Sequence, residues 1–83
     1  MKTIEYSKQA RKFLDKQTET VRERIISAIK GIPERKGDIK RMEGLSSWRL
    51  RVGSYRVLFN DDGYIIFIFR IGPRGDVYKG GKS

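Results

Sequence analysis

The sequence predicts an α+β domain: an N-terminal edge strand, a helical hairpin, then an antiparallel sheet with the helices on one face and an open basic face. Three observations carry that prediction. Two short runs, Trp48-Arg49-Leu50-Arg51-Val52 and Tyr55-Arg56-Val57-Leu58-Phe59, alternate around Gly53-Ser54 and read as strands joined by a two-residue turn. Two earlier stretches repeat apolar residues at helical spacing. A final run, Tyr64 to Ile71, is apolar on both faces and suits a central strand.

Taken in order, Lys2-Thr3-Ile4-Glu5-Tyr6 alternates and reads as an edge strand. Ser7 can cap a first helix whose Ala10, Phe13 and Leu14 form an i, i+3, i+4 stripe, with Lys8, Arg11, Lys12 and Lys16 outside it. A second helix starts at Thr18 or Thr20, where Thr20 to Glu23 fits a capping box. Val21, Ile25, Ala28, Ile29 and Ile32 recur along it, and Gly31 with Pro33 supplies the stop. Both stripes are core rather than a cofactor site. Glu34 to Ser47 reads as a polar loop carrying Lys36, Lys40 and Arg41.

The Gly53-Ser54 turn, read as type II′, sets the next register. Val52 opposes Tyr55, Arg51 opposes Arg56, and Arg49 opposes Leu58. Trp48, Leu50, Val52, Tyr55, Val57 and Phe59 then face the core, while Arg49, Arg51 and Arg56 gather on the other side. Like charges directly opposite on a sheet are destabilising, and an anionic ligand would account for them. Solvated side chains on an open face are the equal alternative. After Asn60-Asp61-Asp62-Gly63 the turn length decides the last strand. A two- or four-residue loop turns Tyr64, Ile66, Ile68 and Arg70 inward; a three-residue loop with a bulge at Gly63 turns Ile65, Phe67, Phe69 and Ile71 inward. Burying an unpaired Arg70 is costly, so the three-residue loop is expected, with Arg70 on the open face. Pro73 and its flanking glycines bend the chain so that Arg74 and Tyr78 swing over the sheet. Residues 1–79 form a single domain, and 80–83 read as a flexible C-terminal tail.

Composition narrows the chemistry. Cysteine and histidine are both absent, which removes zinc, Cys–His and Ser–His–Asp chemistry; no metal and no cofactor is expected. Nineteen Lys and Arg against 10 acidic residues give a formal charge of +9 in 83 residues, so a polyanionic partner is expected. No run approaches a membrane span and no signal sequence is evident, so the expected location is the cytoplasm. Asp61 and Asp62 read as turn residues, Glu43 as a surface acid, and Trp48 and Tyr55 as core.

The segments Met42-Glu43-Gly44, Trp48 to Val57, and Ile71-Gly72-Pro73-Arg74-Gly75-Asp76-Val77-Tyr78 together resemble the RelE/ParE superfamily of toxins over nearly the whole chain. The resemblance implies a type II toxin, in the RelE manner a ribosome-dependent mRNA endoribonuclease. Such a toxin cuts by attack of a ribose 2′-hydroxyl on the adjacent phosphate, leaving a cyclic phosphate and inhibiting translation. By position it assigns Arg49, Arg51, Arg56, Arg74 and Tyr78 to catalysis. Lys36, Lys40, Arg41 and Arg70 are the candidate RNA-binding residues. The implied partners are the ribosome, mRNA and an acidic RelB-like antitoxin, with no membrane. Guanidinium forks suit the nonbridging oxygens of a phosphoryl-transfer transition state. Relatives often carry lysine where Arg49 and Arg51 stand. Since arginine essentially keeps its proton, the base would be Tyr78 or a group from ribosome or solvent. The alternatives are a ParE-like DNA gyrase inhibitor without nuclease activity, and an inactive relative that binds antitoxin or RNA.

Overall fold

A computed structural model describes residues 2–42 and 47–73. In chain order these form β1 (Thr3–Tyr6), α1 (Lys8–Asp15), α2 (Glu19–Lys30), a 3-10 turn (Ile32–Glu34), β2 (Asp38–Arg41), β3 (Trp48–Val52), β4 (Tyr55–Asp61) and β5 (Ile65–Pro73). The five strands make one sheet in the order β1-β5-β4-β3-β2. β1 lies parallel to β5, and the other pairs are antiparallel.

Local chemistry explains the helices. Ser7 Oγ accepts from the Ala10 amide and also donates to the Phe69 carbonyl, so one hydroxyl caps α1 and ties it to β5. Thr18 caps α2 by accepting from the Val21 amide. Thr20 therefore lies inside the first turn, and the Thr20–Glu23 capping box is not used. Ala10, Leu14, Ile25, Ile29 and Ile32 pack onto Leu50, Val52, Val57, Phe59, Ile66, Ile68 and Ile71. Phe13 meets Tyr55 edge to face at 5.9 Å.

The β3–β4 hairpin has the expected register: Val52 pairs with Tyr55, Arg51 with Arg56 and Arg49 with Leu58, across a turn whose Gly53 has φ 58°. The segment expected as a loop contains β2, which pairs Ile39 with Leu50 and Lys40 with Arg49. Ile39 is the strand's one apolar residue, so alternation was too weak to announce it.

The last strand departs from expectation. The Asp62 amide donates to the Ile65 carbonyl, and Gly63, at φ 96°, and Tyr64 form the turn. Ile66 and Ile68 consequently face the helices, whereas Ile65 and Phe67 face outward. Continued regularly, that register would bury Arg70. It does not continue: Phe59 pairs with Ile68 and Leu58 with Arg70, leaving Phe69 as the extra residue of a bulge. Arg70 reaches the open face and Ile71 the core, but the one-residue correction lies inside β5 instead of in the turn.

The edge beyond β1 is sealed by a side chain. Gln9 donates to the Ile71 carbonyl and accepts from the Ile71 amide, both at 3.0 Å, continuing the ladder where β1 has ended. Gln9→Ala should lower stability by about 1–3 kcal/mol, because both backbone groups lose their partner. Thermal unfolding of the variant checks this; an unchanged midpoint would show that water replaces the amide at no cost.

Candidate nucleic-acid interface

Cross-strand pairing arranges the open face in rows. One row runs Lys40, Arg49, Leu58, Arg70 across β2, β3, β4 and β5. The next runs Asp38, Arg51, Arg56, Gly72. Directly opposed residues on one face have Cβ atoms about 5 Å apart, so Lys40 lies beside Arg49 and Arg51 beside Arg56, with Arg70 one strand further on beyond Leu58. Asp38 is the acid within these rows, and its carboxylate lies 3.9 Å from Arg51 Nη1.

The Arg51–Arg56 juxtaposition is relieved rather than endured. Arg56 is only 4% exposed. Its Nη1 donates to the carbonyls of Gly53 at 3.2 Å and Tyr55 at 3.0 Å, so its charge braces the turn. Arg51 leans toward Asp38 and stays exposed. Leu58 is buried on this outward face, flanked in its row by the half-buried Arg49 and Arg70. The Arg70 Nε is enclosed and has no hydrogen-bond partner among the described residues.

Of the residues singled out in the sequence, Arg49, Arg51, Arg56, Arg70 and Lys40 come together. Arg41 and Lys36 do not join them. Arg41 pairs with Trp48 on the helix-side register, its guanidinium 5.9 Å from the indole centroid. Lys36 is exposed, with Nζ 3.3 Å from Glu34. Arg74, Tyr78 and Glu43, the bend proposed to carry the first two, and the 80–83 tail lie outside the described residues. Trp48 and Tyr55 pack with the core, as expected.

Sequence reasoning missed the carboxylate that controls the opposite side of the sheet. The Asp61 side chain is 2% exposed and accepts from Lys2 Nζ at 2.8 Å, Arg35 Nη2 at 2.7 Å and the Gly63 amide at 2.9 Å. Burial pushes its carboxyl up, but the Lys2 and Gly63 hydrogen bonds and the Lys2 and Arg35 charges outweigh that and hold it below the ordinary value. Arg35 also lies 4.7 Å over Trp48. Asp62 is likewise lowered, by hydrogen bonds from the Ile65 and Tyr64 amides. No sequence signal could join Lys2 to Asp61, because the contact spans 59 residues.

Among the described residues no cluster of His, Cys, Asp and Glu could hold a metal ion, and no helix is long and apolar enough to cross a membrane. A groove of 330 Å³ beside β1, lined by Tyr6, Arg11, Leu14, Asp15 and Ile26, lies on the helix side. Burial raises the Tyr6 phenol there.

Comparison with known proteins gives a consistent picture. The family described as ParE toxin of type II toxin-antitoxin system, parDE, matches residues 4–78. No curated protein matches the chain. Among solved structures, a chain of the RelB-RelE antitoxin-toxin complex from Methanococcus jannaschii is 26% identical, with TM-score 0.75 and coverage of 93% of this chain and 98% of that one. The archaeal RelE-RelB complex from Pyrococcus horikoshii OT3 gives 26%, TM-score 0.71, and 89% and 96%. The isolated E. coli RelE toxin, at 19% identity, TM-score 0.74 and coverage of 96% and 94%, shares the fold.

Proposed function

The chain belongs to the ParE toxin family of type II toxin-antitoxin systems, and from that premise we propose that it is a RelE-like, ribosome-dependent mRNA endoribonuclease of the cytoplasm. The observation that carries the reading is the pair of cationic rows on the face the helices leave open. Such a patch grips a phosphodiester whatever the base attached, and its guanidinium groups present paired donors to nonbridging oxygens.

In the proposed reaction the ribose 2′-oxygen attacks the adjacent phosphorus. A new O2′–P bond forms and the P–O5′ bond breaks, leaving a 2′,3′-cyclic phosphate, and the departing O5′ takes a proton from solvent or the ribosome to become a 5′-hydroxyl. Arg49 and Arg51 stabilise the oxygens as negative charge develops, Arg56 holds the turn that positions them, and Arg70 and Lys40 bind the flanking backbone. Arg74 and Tyr78 are assigned to catalysis through the family pattern alone. Tyr78 or a ribosomal or solvent group accepts the 2′-proton, since arginine keeps its own. An acidic antitoxin, in the place that RelB takes in the M. jannaschii RelB-RelE antitoxin-toxin complex, holds the toxin silent.

Induced expression without antitoxin, followed by primer extension on a translated message, tests the proposal. Cuts within codons that vanish when translation is blocked are the expected result. Uncut message during growth arrest would overturn it, and DNA-damage signalling alongside would point to gyrase. Expression without arrest would leave an inactive relative.

A further inference from the structure

The register that overturned the expected β5 facing also put an aromatic ring on the open face. Phe67 is 37% exposed and Ile65 36%, on the face opposite the helices. Phe67 pairs with Asn60 on one side and Glu5 on the other. Along β5 it stands three residues from Arg70 with the bulge between, which is about 10 Å at most. The Asn60 carbonyl oxygen accepts from Ser47 Oγ at 3.0 Å, which turns its amide NH2 toward other acceptors.

We propose that Phe67 is a nucleobase-stacking shelf: RNA whose phosphate is held by the Arg49–Arg70 row lays a neighbouring base on the Phe67 ring, with the Asn60 amide at that base's edge. The inference rests on the endoribonuclease reading and adds a base contact to its phosphate grip. An exposed aromatic ring beside cations on an open sheet is the arrangement that binds unpaired bases, because every base has a π-face and the backbone supplies the charge. A protein partner fits less well. Ile65 and Phe67 are each nearly two-thirds covered, and even with the exposed Tyr64 they fall far short of the roughly 800 Å² per side of a stable protein interface, while Arg70 is the next outward residue along β5.

The test is fluorescence anisotropy with the full chain, comparing a labelled ribonucleotide of about six bases with an abasic ribose-phosphate oligomer of equal length. Wild type and Phe67→Trp should favour the base-bearing strand by about tenfold. Phe67→Ala and Phe67→Leu should bring the ratio near one, with the salt dependence of binding unchanged because no phosphate contact is lost. Phe67→Leu keeps the apolar bulk without a π-face, so it remains decisive even where Phe67→Ala fails to fold. A wild-type ratio retained by Phe67→Leu would mark an apolar docking surface and overturn the shelf. A wild-type ratio near one would overturn the shelf and leave the phosphate grip standing. No salt-sensitive binding of either strand would remove the RNA reading, and the shelf with it.

Discussion

Arg51→Met is expected to slow message cleavage by about 10²-fold or more while leaving the melting temperature unchanged or raised. The first half follows from the assigned role: a preorganised donor aimed at developing phosphate charge is worth about 3–4 kcal/mol when removed. The second half follows from the sheet. Arg51 is more than half exposed, opposes Arg56 and touches a single carboxylate at the long distance of 3.9 Å. Losing it breaks only a weak, solvent-screened pair and removes whatever repulsion remains after Arg56 has turned onto the Gly53 and Tyr55 carbonyls. Methionine keeps an unbranched apolar stem on the strand. Arg51→Lys should recover part of the rate, since it restores charge without the two-pronged donor. Primer extension yields the first quantity and thermal unfolding the second. Full cleavage by Arg51→Met would move the grip elsewhere, and a lower melting temperature would make Arg51 a structural residue.

That pairing of effects separates functional cations from structural ones, and the sequence carried only half of the distinction. Arg49, Arg51 and Arg56 were legible as one cluster because a two-residue turn fixes the partner of every residue in its hairpin. That Arg56 turns back onto the Gly53 and Tyr55 carbonyls was not legible, since side-chain direction follows from neighbours and not from register. The cost of burying Arg70 is met with a bulge at Phe69 instead of a longer turn. Either device shifts the register by one residue. The choice between them is made by Asp62, whose carboxylate accepts from the Tyr64 and Ile65 amides and closes the tighter turn. The consequence is functional, because the tighter turn sends Phe67 outward and the bulge then returns Arg70 to the same face. β2 was missed for the opposite reason, as three of its four residues are charged. It matters to the site, for it brings Lys40 beside Arg49.

Asp61→Asn is expected to cost about 2–3 kcal/mol at neutral pH, and its cost should shrink in acid. The carboxylate is buried, holds two cations and one amide, and joins β1, the β4–β5 turn and the segment after α2. An asparagine can accept some of those hydrogen bonds without the charge that strengthens them. Lys2 and Arg35 are 29% and 41% exposed, so both can turn to water, and the loss stays below that of a fully enclosed pair. The sign of the pH effect follows from the lowered carboxyl. A group whose folded pKa lies below its unfolded value stabilises fully above the unfolded value, and that stabilisation disappears as pH falls through the folded one. Wild type and Asp61→Asn should therefore differ most at neutral pH and converge below the ordinary carboxylate range. A difference that stays constant into acid would mean the clamp works by shape alone. Convergence would establish the Asp61 charge, shared between Lys2 and Arg35, as what ties these segments together.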